Sequence, residues 1–89
     1  MSNVQDTSLE AYYSILSDIN DKQMRVIEVF LDYPDRSWTN MELASQLGWS
    51  VNRITPRTYE LRDIGVLKWV GVRKCRVTGN TAKLMEMVG

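Results

Sequence analysis

Histidine is absent from this 89-residue chain, and cysteine occurs once, as Cys75. Without histidine, neither a Ser-His-Asp nor a Cys-His nucleophile system can be built. One thiol cannot close an internal disulfide, which fits a reducing compartment. One thiol also falls short of the roughly four Cys/His ligands of a zinc site. Carboxylates and lysines remain as acids and bases. The acids near the basic part of the chain are Glu42, Glu60 and Asp63, and the last two read as helix partners of Arg57 and Arg62. The expectation is a non-enzyme without metal or cofactor. A run of about 18 apolar residues is also missing, so no membrane-spanning helix is expected. The first ten residues lack the basic start and apolar stretch of a signal peptide, which points to the cytoplasm.

What is present is ordinary for a globular domain: 44% hydrophobic and 25% charged residues. The length favours one domain, expected over residues 8–89 behind a polar, disordered terminus at 1–7. The net charge is zero, but it is unevenly spread. Residues 1–42 hold eight acids and three bases, net −5; residues 43–89 hold eight bases and three acids, net +5. Such a split is a sign of a nucleic-acid binder with a neutral total. Two solvated faces would give the same count.

Apolar spacing predicts a short helix from Thr7 or Ser8 to about Asp18–Asn20, with Leu9, Tyr12, Tyr13, Ile15 and Leu16 on one side. A second helix follows Asn20 or Asp21 as cap and stops at Tyr33-Pro34, because the residue before proline disfavours the helical region. Ser37-Trp38-Thr39 reads as a very short strand. A third helix spans about Asn40 to Leu47. Thr39 and Glu42 form its capping box, and Gly48 fits a left-handed end. A fourth helix is predicted at about 53–64. Pro56 is placed in its first turn, with Asn52 or Thr55 as cap. Residues 66–78 predict two strands around a turn at Arg73-Lys74, and Thr81 to Val88 a final short helix. The fold class is therefore mainly α with a small β-hairpin, α+β, carrying extra helices at both ends.

From Thr39 the sequence runs TNMELASQLGWSVNRITPRTYELRDIGVLKWVGVRKCRVTG. A helix ending in Leu-Gly, a short turn, a second helix ending in Leu61-x-x-x-Gly65 and a strand into a hairpin together resemble the winged helix-turn-helix family. Ile54-Thr55-Pro56-Arg57 with Glu60-Leu61, Arg73-Lys74-Cys75 and Thr78-Gly79-Asn80 is similar to a small subgroup carried by phages and prophages. The resemblance implies a three-helix core with a two- to three-stranded wing sheet, and double-stranded DNA as partner. It also implies a regulator of transcription or of a phage-related process.

In such a fold the start of the second helix of the pair meets base edges in the major groove. The candidates there are Asn52, Arg53, Thr55, Arg57 and Thr58, with Tyr59 as a phosphate contact. Arg57 has Glu60 as an alternative partner, and Thr58 has the core. Arg73, Lys74 and Arg76 form a basic wing suited to the sugar-phosphate backbone; edge-strand protection is the plainer reading. Ser37 and Thr39 are candidate phosphate donors at a helix start, although Thr39 serves equally as a cap alone. Trp38 and Trp69 are assigned to the core, Trp69 also as half-buried, and Trp49 to packing over the turn. Cys75 is read as inert. The other functional class is a protein-interaction or dimerisation module, using the acidic half and the helix at about 8–18.

Overall fold

The computed structural model describes residues 19–88; the terminus 1–7 and the helix expected at about 8–18 lie outside them. The first described helix, α1 (Asp21–Asp32), begins at a reciprocal cap. Asn20 Oδ1 accepts from the Gln23 N–H at 2.8 Å, and Gln23 Oε1 accepts from the Asn20 N–H at 3.1 Å. Val26, Ile27, Val29 and Phe30 give α1 its buried face. It ends at Tyr33, ahead of Pro34.

Thr39 and Glu42 cap α2 (Asn40–Leu47) in the expected reciprocal pair. Gly48 closes it at φ 71°, a conformation in which a Cβ is strained. Ser50, without a side-chain bond, precedes α3 (Val51–Asp63), so neither Asn52 nor Thr55 is the cap. Helix α3 therefore starts two residues ahead of the expected position, and Pro56 is its sixth residue rather than a first-turn one. The proline is tolerated because it faces solvent, where water can meet the Asn52 carbonyl that it leaves without a helical donor. Past α3 the chain reverses at Gly65, and the Val66 N–H donates back to the Leu61 carbonyl at 2.8 Å.

Strands β1 (Leu67–Lys74) and β2 (Thr81–Met87) then pair antiparallel, with an irregularity between Trp69 and Gly71. Two expectations are corrected here. The turn lies at residues 75–80, not at Arg73-Lys74, and is closed by the Cys75 N–H on the Asn80 carbonyl and the Gly79 N–H on the Cys75 carbonyl, both 2.8 Å. The segment expected as a final helix is β2. Ala82, Lys83, Leu84, Met85 and Glu86 are good helix formers, but pairing on both sides overrides that preference. Strand β1 bonds one edge of β2, and Trp38 bridges the other. The Trp38 N–H donates to the Met85 carbonyl at 3.0 Å and the Met85 N–H returns to Trp38 at 2.8 Å.

Three helices followed by a hairpin make an α+β arrangement compatible with a winged-helix core. Val26, Ile27, Trp38, Leu43, Ile54, Leu61 and Met85 are fully buried at its centre. Each fully buried side chain of this size contributes about 1.5–3 kcal/mol. No helix among the described residues is long and apolar enough to cross a membrane.

Candidate nucleic-acid interface

Helix α3 packs its Ile54, Thr58 and Leu61 inward. Successive helical residues are about 100° apart, so Asn52 and Pro56 lie opposite that buried stripe, as does Asp63 in the last turn. Tyr59 is next to them and 61% exposed. Thr55 is exposed too, and its hydroxyl donates to the Val51 carbonyl at 3.0 Å. Four sequence candidates, Asn52, Arg53, Thr55 and Tyr59, thus share the open side of α3.

Two others do not. Thr58 is fully buried, and its hydroxyl donates to Asn40 Oδ1 at 2.7 Å, tying α3 to α2. Arg57 turns toward α1. Its Nη2 donates to Glu60 Oε2 at 3.1 Å, with Nε 3.0 Å from Oε1. Gln23 Nε2 donates to the same Glu60 oxygen at 2.8 Å. That hydrogen bond, with Arg57 beside it, holds the Glu60 carboxyl below the usual range. Glu60 is in this way the node between α1 and α3, and Arg57 its counter-ion.

Arg53 is free of carboxylates among the described residues, and its guanidinium stacks 4.3 Å from the Trp49 ring. Stacking leaves the planar edge of an arginine open to further acceptors. Trp49 is itself partly buried against the core, as expected.

At the hairpin, Arg73 leaves the predicted wing surface. It lies within β1, and its guanidinium meets Glu42 at 2.6 and 2.8 Å. It also donates to the Ser37 carbonyl at 3.1 Å. The Arg76 N–H reaches the same Glu42 at 2.8 Å, and Glu42 further accepts from the Thr39 N–H at 3.2 Å. Burial alone would raise the Glu42 pKa. The Arg73 hydrogen bond and the two backbone donors prevail and hold it at about 2. The side chains of Lys74 and Arg76 stay exposed at the turn, without a carboxylate partner among the described residues.

Ser37 and Thr39 are also engaged within the fold. Ser37 Oγ donates to Glu86 at 2.7 Å. Thr39 caps α2 and stands 3.2 Å from Cys75 Sγ. Cys75 is buried, and the Thr39 hydrogen bond and the nearby Thr78 and Val77 N–H groups overcome desolvation to lower its pKa.

A second group escaped the sequence reading. Trp69, read as core or half-buried, is 42% exposed, with the Arg62 guanidinium 4.0 Å from one ring centroid and Lys83 Nζ at 5.3 Å. Arg62 Nη1 also meets Met85 Sδ at 3.2 Å. Tyr59, Arg62, Lys68 and Trp69 line a shallow groove between the end of α3 and the root of β1. Lys83 joins them because residue 83 belongs to a strand; the expected helix hid it. Arginine near an aromatic strand residue was the signal available in the sequence. Searches find no family model and no curated protein that matches this chain.

Proposed function

We propose that the chain is a winged-helix protein that binds double-stranded DNA, with α3 in the major groove and the hairpin on the backbone. One observation carries the reading. Arg53, Lys68, Lys74 and Arg76 are exposed on α3 and the hairpin, and no carboxylate of the described residues pairs with them. Cations without a counter-ion in the fold are left for an anionic partner. In this proposal the protein is a regulator of transcription or of a phage-related process, working in the cytoplasm.

The test is fluorescence anisotropy of the whole chain with random duplex DNA at about 50 and 200 mM salt. Each neutralised phosphate contributes a slope of about −0.9 in log affinity against log salt. The double variant Lys74→Ala/Arg76→Ala is expected to flatten the slope by about two such steps. No binding at the lower salt sinks the proposal.

A second reading, docking of a protein partner, has one observation in its favour. Val70 and Val72 are exposed on β1, whose outer edge pairs with nothing among the described residues. Sizing by light scattering in the absence of DNA distinguishes a dimer from a monomer.

A further inference from the structure

The two arginines among the base-edge candidates are not at the centre of the open side of α3. Arg57 is held by Glu60, which Gln23 fixes in turn. Arg53 lies on the flank, over Trp49. Opposite the buried stripe stand Asn52 and, one turn on, Pro56, with Thr55 and Tyr59 to one side. On the other side lie Glu60, paired with Arg57, and Arg53, and Asp63 follows in the last turn.

Pro56 is the more telling of the two. A proline this far inside a helix costs about one backbone hydrogen bond and strains the preceding turn. It is exposed, and it is not among the residues packed on the core, so the fold gains nothing visible from it. Its apolar ring becomes useful only against something that meets α3 from outside. In the major groove the apolar feature on offer is the thymine C5-methyl group. Asparagine, in the same groove, accepts from adenine N6 and donates to N7.

We infer that α3 reads A·T pairs, Asn52 through adenine and Pro56, with the Thr55 methyl group, through the thymine methyl. Arg53 and the hairpin cations then serve the phosphates. This rests on the DNA-binding reading above and specifies what that surface recognises.

The experiment is enrichment of tight-binding duplexes from a random pool by the whole chain, then affinity measurements on the enriched site. The expected site contains A·T pairs at its centre. Asn52→Ala lowers affinity for it about five- to 150-fold, the range of one two-pronged base contact. Uracil in place of thymine at the contacted position weakens the native protein about fourfold, as one buried methyl group would. The same exchange costs Pro56→Ala clearly less than fourfold, because only the Thr55 and alanine methyl groups then face the thymine, and that variant is expected to fold at least as well as the native chain. An enriched site built on G·C pairs whose preference vanishes in Arg53→Ala overturns the inference and keeps the DNA reading. Binding without sequence preference does the same. Absence of binding to any duplex at low salt overturns both.

Discussion

Glu42 grips Arg73 through both carboxylate oxygens while closing the cap of α2, so one buried side chain joins the turn end of the hairpin to the helical pair. Its folded pKa of about 2 lies below the ordinary 4.5. A carboxylate with a depressed folded pKa stabilises the fold fully above the unfolded value. That contribution is lost as pH falls from 4.5 toward 2. It amounts to about 3 kcal/mol at neutral pH. Urea unfolding at pH 7, 4 and 3 is expected to show this loss in the native chain and a much smaller one in Glu42→Gln, which starts less stable. Parallel pH profiles for the two proteins would contradict the assignment.

Thr58 gives a separate test, because its hydroxyl is internal. Thr58→Val keeps the shape and strands Asn40 Oδ1 without its donor. The expected cost is about 1–3 kcal/mol in denaturant unfolding. DNA affinity per folded molecule should not change. A folded Thr58→Val that loses DNA would mean that the hydroxyl works at the surface after all.

Pro56 predicts the opposite sign. Pro56→Ala restores a donor to the Asn52 carbonyl and removes the ring from the helix interior. The gain is expected to be about 1–3 kcal/mol, at or below the roughly 3 kcal/mol penalty of an interior proline. Thermal unfolding measures it, and a lower melting temperature would reveal a packing role for the ring.

Two effects compete at Cys75. Its lowered pKa favours the reactive thiolate, but its side chain is 2% exposed. Access should win, since a reagent must wait for local opening. Labelling by an aromatic disulfide is expected to be more than about a hundredfold slower in the folded chain than in urea. Fast labelling under native conditions would show that the Thr39–Cys75 contact opens readily.

The helices were legible in the sequence because their ends are chemical. Asn20, Thr39 with Glu42, Gly48 and Gly65 each carry a local instruction, and each is found where it was read. The start of α3 was not, since Ser50 caps without a side-chain bond and Pro56 looked like a boundary. The hairpin was half legible. Val66 to Val72 announces a strand by composition, whereas β2 is a strand by virtue of its neighbours. At the site, Asn52, Arg53, Thr55, Tyr59, Lys74 and Arg76 were found open as expected. For Arg57 and Thr58 the alternatives read beside DNA contact, the Glu60 pair and the core, are the ones found, whereas Arg73 answers Glu42, distant in sequence. Charge type is visible in a sequence; a counter-ion brought by tertiary contact is not.

The bridge between Trp38 and Met85 has a consequence for synthesis. All three described helices precede β2, so a nascent chain can form them while its centre is still open. The two backbone bonds to Trp38, and the burial of Met85 beneath it, wait for β2 to leave the ribosome. Until then Trp38 offers an unpaired backbone edge and an apolar ring to whatever is nearby. Closure of this part of the core is therefore set by the arrival of β2, and a delay in its arrival would lengthen the interval in which a chaperone, or a neighbouring chain, can occupy that place.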